Sequence, residues 1–255
     1  MDFIIPIILF AFIFGCVFGS FLCVLIDRLP QEVSVTRGRS KCESCKHELS
    51  ALDLIPVISY ITLGGKCRYC KKRIPPHVFI IEFLGGVLLA AFSYYSVLHS
   101  IGFLQFALLS IIFFSLAGLL FTDIETGIIP DEFTIAIGAS SLLLVILNPS
   151  QLLPYFLSAI GAFIFFFVLF FITSGRGMGF GDVKLSFAIG LFLGFPQTIV
   201  CFYFAFLTAT FVSIILILTG RKKLRGDTIA FGPYIAVGAG FAYFFGASIV
   251  TQLFK

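Results

Sequence analysis

Residues 3–26 read FIIPIILFAFIFGCVFGSFLCVLI, 24 positions without a charge. As a helix such a run is about 36 Å long, enough to cross a hydrocarbon core of about 30 Å. Asp2 stands before it, with no basic n-region and no small-residue cleavage site after it. It therefore reads as a retained first helix rather than a removed signal peptide. Working outward, apolar runs recur at about 77–98, 101–121, 132–147, 154–173, 183–195, 198–219 and 229–253. The expectation is an all-α polytopic membrane protein of about eight transmembrane helices. Composition agrees: 59% of the 255 residues are hydrophobic and 12% charged, with a mean hydropathy of +1.10. A soluble domain has about 45–50% apolar and about 25% charged residues. With no Trp among 35 Phe and 8 Tyr, interfacial anchoring falls to Tyr, Lys and Arg.

One extended polar segment, 27–76, interrupts this pattern. Between residues 27 and 73 it carries ten basic and five acidic side chains, and a second basic cluster is Arg221-Lys222-Lys223-Leu224-Arg225. By the positive-inside rule both face the cytoplasm. Nucleic acid is not expected as a partner, because no aromatic stacking pattern accompanies the charge. With the first polar segment inside, counting crossings puts the turns holding Asp123 and Asp182 on the same, cytoplasmic face. The expected organisation is a first helix (1–26), a cytoplasmic loop domain (27–76) and a helical membrane domain (77–255).

The loop domain holds Cys42-x-x-Cys45 and Cys67-x-x-Cys70. Each pair supplies two thiolates from one tight turn, and two such turns close a tetrahedral site with bonds of about 2.3 Å. A cytoplasmic loop is reducing, which disfavours disulfides. Four thiolates leave no open coordination position, so the expected ion is a structural zinc. Cys16, Cys23 and Cys201 lie in apolar runs and read as small buried hydrophobes.

Two acidic turns remain. Gly177-Met178-Gly179-Phe180-Gly181-Asp182-Val183-Lys184 and Asp123-Ile124-Glu125-Thr126-Gly127-Ile128-Ile129-Pro130-Asp131 each lie between apolar runs. An ionisable group at membrane depth marks a functional position, because its burial must be compensated. Asp182 lies 14 residues before Pro196, about 21 Å of helix, so it is expected below the cytoplasmic interface in a water-filled notch. Two carboxylates beside one water can share a proton, one acting as general base and the other hydrogen-bonding a scissile carbonyl. Equally, each Asp can simply cap the helix that follows it. Spacing alone does not separate these readings.

Gly179-Phe180-Gly181-Asp182 resembles the Gly-x-Gly-Asp signature of intramembrane aspartyl proteases. The wider pattern resembles the type IV prepilin peptidases: Gly177 through Leu185 matches their second aspartate motif, and Asp123 with Ile129-Pro130-Asp131 and Thr134 matches their first. Gly19-Ser20-Phe21-Leu22 with Arg28-Leu29-Pro30, Ile55-Pro56-Val57-Ile58-Ser59-Tyr60, Cys67, Cys70, Glu82 and Phe231-Gly232-Pro233-Tyr234 continue the likeness in order. The resemblance implies that Asp123 and Asp182 are the catalytic pair of an endopeptidase in the bacterial inner membrane. Its substrate would be a prepilin or pseudopilin with a short basic leader, in a pilus or type II secretion context. It also implies N-methylation of the new N-terminus with S-adenosylmethionine. Cys23 stands where the family usually has Asn, in the region tied to that second activity. A small multipass proton- or ion-coupled transporter with a regulatory zinc loop is the alternative, and a scaffold for pilus assembly a third. Glu125, Asp131 and Glu132 are read as solvated turn residues and Lys184 as snorkelling to the interface.

Overall fold

The computed structural model describes residues 4–175, 177–219 and 230–253, so the basic cluster at 221–225 lies outside them. The described chain is helical throughout, with no strand beyond two isolated bridges. Every apolar run named above forms a helix: α1 (Ile4–Arg28), α3 (Pro76–Leu98), α4 (Phe103–Thr126), α5 (Asp131–Ile146), α6 (Leu152–Ile172), α7 (Phe180–Leu193), α8 (Gln197–Leu218) and α9 (Gly232–Leu253), with a short α2 (Ile58–Thr62) in the polar segment. Six are long and apolar enough to cross a bilayer, which makes this a multipass membrane protein. The two that fall short are α5, with 16 residues, and α7, with 14. At 1.5 Å per residue they reach about 24 and 21 Å.

The chain divides into two compact units, Met1–Ser110 and Ile111–Lys255. In the first, α1 packs on α3 backbone to backbone. A Cβ built on Gly15 would lie 2.8 Å from Gly86 Cα, and one on Gly19 2.8 Å from Glu82 Cα. Bare glycines let the two helices approach until main-chain dispersion contacts form, the usual solution where surrounding lipid is as apolar as the side chains.

The polar segment between these helices has almost no apolar interior; of its hydrophobic residues only Cys67 is buried. Polar ties hold it instead. Arg28 donates to the carbonyls of Ser34 and Arg37, both at 3.0 Å. Buried Glu82 on α3 accepts the Val57 N–H at 2.7 Å. Val57 has φ 64°, an outlier for a β-branched residue, and the Glu82 bond helps hold it there. Asp53 accepts from Arg68 Nε at 2.6 Å and from the Ser50 hydroxyl at 2.7 Å. Those bonds, Arg68 first and then Ser50, hold its carboxyl well below the usual range, at about 2.

In the second unit α7 is the centre. It packs on α5, α6, α8 and α9, and ten of its 14 residues are buried. A helix apolar on nearly all sides is one surrounded by others, which accounts for the run at 183–195 being apolar apart from Lys184 and Ser186.

Gly15→Ala is expected to destabilise by about 1–3 kcal/mol, because its Cβ meets main chain that cannot move aside. Gly161→Ala on α6, whose Cβ would meet nothing within 4 Å, is the matched control. Thermal denaturation in detergent should show a lowered midpoint for the first variant only.

Candidate functional site

Both aspartates lie in the second unit, buried, at 4% and 5% exposure. Asp123 stands in the last turn of α4 rather than in a loop. The sequence reading ended that helix near 121, but the Thr122 and Thr126 hydroxyls bond to Gly118 and Thr122 carbonyls within the helix, so these polar residues do not break it. Gly127, at φ 69°, ends it. Asp182 sits in the first turn of α7, where its Oδ2 accepts the Gly179 N–H at 3.1 Å. The capping role expected of an Asp is thus real for Asp182, and it explains why α7 begins at Phe180 instead of 183. Asp123, at the other end of its helix, does not cap α4.

The two carboxylates come within electrostatic range of each other. The chain between α4 and α5 forms the seam: Ile129 packs on Gly181, where a Cβ would lie 3.0 Å from its own, and Ile129 Cδ1 is 3.1 Å from a Cβ built at Gly232. Gly232, the first residue of α9, faces Asp123 so closely that a Cβ there would be 2.5 Å from Oδ2. Each carboxylate therefore meets a helix N-terminus, Asp182 on α7 and Asp123 on α9. The partial positive charge of those termini compensates negative charge away from water. Among the described residues three buried side-chain oxygens have no hydrogen-bond partner: Asp123 Oδ2, Asp182 Oδ1 and Thr134 Oγ1 on α5. Two carboxylates with open lone pairs can hold a water, take its proton and steer a polarised carbonyl. No metal is needed for this.

Helix register shows how far the pair is recessed. Along α6 and α7, Tyr155 meets Gly194, Ala159 meets Gly190 and Phe170 meets Phe180, which puts Asp182 about five residues, or about 7 Å, short of the end of α6 at Ile172. Along α8 and α9, Gln197 meets Gly246, and the Phe206 and Phe231 rings are 4.9 Å apart. From Phe206, α8 continues to Leu218, about 18 Å beyond the level at which α9 begins. Helices α7 and α9 start deep within walls made by α6 and α8. Lys184 forms an ion pair with Asp131 at the start of α5, its ammonium 5.8 Å above the Phe180 ring. Asp131 is thus both exposed and partnered.

In the first unit the four cysteines converge, all Sγ atoms within 4.8 Å of one another. Cys42 and Cys70 Sγ are 3.8 Å apart, the edge of a tetrahedron with bonds of about 2.3 Å. The two turns repeat each other. Cys42 and Cys67 N–H donate to the carbonyls five residues on, and Lys46 and Lys71 N–H donate back to Cys42 and Cys67. Those two lysines take φ 58° and 59°. The donor set fits a metal ion held in a closed site.

The polar contacts that sequence reading did not assign were Lys184 to Asp131, and Gly232 to Asp123. The second had a signal, the Gly-Pro that opens α9. Two family models match: the bacterial peptidase A24 N-terminal domain over residues 13–96, and the type IV leader peptidase family over 110–217. The second spans both aspartates. A prepilin leader peptidase/N-methyltransferase of Bacillus subtilis is 32% identical over 252 residues, 96% of each chain. Proteins of the same name from Aeromonas hydrophila and Burkholderia pseudomallei are 30% and 28% identical, over 93% and 96% of this chain and 90% and 87% of theirs. No solved structure matches. Two family models in consecutive order, and relatives aligned almost end to end, establish that this chain belongs to the type IV leader peptidase family.

Proposed function

We propose that the chain is a membrane aspartyl endopeptidase that removes the short basic leader of prepilins or pseudopilins at the cytoplasmic face of the bacterial inner membrane. The observation that carries this reading is the pair Asp123 and Asp182, buried, each at a helix N-terminus, each with an unpartnered oxygen. Two carboxylates in mutual range share one proton. The ionised one removes a proton from water as the water attacks the scissile carbonyl. The protonated one gives its proton to the carbonyl oxygen, forming a gem-diol; as that collapses, the first Asp passes the proton it took from water to the leaving amine and the second recovers its proton from the diol hydroxyl. The N-termini of α7 and α9 stabilise the charge that remains. Glu125 and Glu132, exposed beside this recess, suit a basic leader.

The same name in the relatives supports a second activity, methylation of the new N-terminus with S-adenosylmethionine. In the first unit a cavity of about 210 Å³ is lined by Cys23, Asp27, Tyr60, Arg68 and Glu82. Its carboxylates suit a sulfonium, its aromatic ring a purine and its guanidinium an amino-acid carboxylate. When bound, S-adenosylmethionine supplies the methyl group; these residues would hold it. Residues 27–76 serve as the metal-stapled cytoplasmic domain, with zinc in the four-cysteine site, and 77–255 carry the peptidase. All eight long helices lie in the bilayer, α5 and α7 as short ones inside the bundle.

Asp123→Asn and Asp182→Asn should each reduce leader cleavage at least 10³-fold while leaving membrane insertion and thermal midpoint unchanged. Mass spectrometry of a prepilin-like product, with and without S-adenosylmethionine, reads both activities. Near-normal turnover by either variant overturns the dyad. Metal analysis should find one zinc per chain; Cys67→Ser should lower zinc content and expose 27–76 to proteolysis, with cleavage reduced far less than by the aspartate changes.

A further inference from the structure

A groove of about 750 Å³ runs along the outside of the second unit between α6 and α8. It extends on α6 from Leu153 to Phe165, 12 residues or about 18 Å. Its α6 floor is made of small residues: Ser158, Gly161 and Ala162. A Cβ built at Gly161 meets no atom within 4 Å, so the floor is open there. Ser158 and Thr198 close the groove's base by bonding to each other at 2.9 Å, which leaves its surface almost wholly apolar. Its walls carry large exposed side chains, among them Ile199 at 58% and Tyr203 at 68% exposure.

Where the groove stops is informative. Its end is formed by Phe165 and Phe206. Phe206 packs on Phe166 and on Phe231, and Phe231 precedes Gly232, whose backbone abuts Asp123. By helix register Asp182 lies about one residue beyond Phe166 on α6. The groove thus reaches the level of the two aspartates and goes no further.

We propose that this groove seats the apolar helix that follows the cleavage point of the substrate, with the helix's first residue at the aspartates. The inference rests on the peptidase reading and adds where the membrane-held part of the substrate binds. Three observations favour a helix as occupant. Small floor residues let a helix backbone approach closely. The length matches about 12 residues of helix. The groove ends at the level of the aspartates, where Phe206 packs on Phe231 beside Gly232, so a docked helix brings its end to the depth of the carboxylates. Positioning of this kind reduces the entropy cost of bringing the scissile bond to the dyad.

The test uses the full-length protein in liposomes and a prepilin-like substrate. Gly161→Leu fills the floor from a Cβ position with no atom within 4 Å; it should raise KM for that substrate about tenfold while kcat at saturation stays within about twofold, because uniform binding is what is lost. Gly161→Ala, which adds less volume to the floor, should raise KM by less than Gly161→Leu. A photoreactive benzoylphenylalanine at position 199 should form an adduct with the substrate's apolar helix. An unchanged KM for Gly161→Leu, or adducts formed only with lipid or with a second copy of the chain, overturns the groove assignment while cleavage by the unmodified chain leaves the peptidase reading standing. Absence of cleavage by the unmodified chain removes both.

Discussion

Two carboxylates held away from water set the terms for the second unit. A charged Asp at mid-bilayer costs about 2.5–3.5 kcal/mol on insertion scales, so the fold must bring compensation to both. It does so with helix ends. The first turn of α7 receives Asp182, and the first residue of α9 faces Asp123. Free N–H groups are tolerable at membrane depth only where they line a polar cavity. This explains why two helices begin well short of the neighbours that flank them. A full-length α7 would fill the recess and leave Asp182 inside regular helix, with no free N–H group directed at it.

The first unit solves a different problem. Its polar segment is nearly fifty residues long, yet of its hydrophobic residues only Cys67 is buried. A domain of that size seldom folds on apolar burial alone and relies on staples. Two identical Cys-x-x-Cys turns, an Asp53 to Arg68 pair, and ties to α1 and α3 take the place of a core. The Val57 outlier fits this picture: with little packing to over-determine the backbone, the Glu82 carboxylate helps fix its direction.

Helix positions were legible because hydropathy reports burial in lipid directly, and runs of about 20 apolar residues have few alternatives. The four cysteines and the two aspartates were legible because their residue types are costly or unusual where they stand. Other features were not. That α4 extends through Asp123 depends on Thr122 and Thr126 bonding within their own helix, which hydropathy counts as a polar break. The Lys184 to Asp131 pair joins residues 53 positions apart, and nothing local in either motif announces it. Gly232 could be seen as a helix start, but its approach to Asp123 is a tertiary fact. The α6–α8 groove was invisible for a physical reason: lipid-facing and partner-facing apolar side chains look alike in a sequence, and only the small floor beneath them differs.

On the proposed reading of Asp123 and Asp182, placing hydrolysis inside the membrane follows from comparing two costs. Apolar residues contribute about −0.3 to −0.6 kcal/mol each on insertion, so lifting a helix of about 20 of them into water costs about 6–12 kcal/mol. That cost would recur at every turnover and, at 1.36 kcal/mol per tenfold, would slow the reaction by about four to nine orders of magnitude. Burying two aspartates is of similar size, about 5–7 kcal/mol before compensation, but it is met once, during folding. It is also reduced by proton sharing and by the two helix ends. A substrate that remains in the bilayer is therefore best served by carboxylates brought down to it. The recessed starts of α7 and α9 are the structural form of that choice.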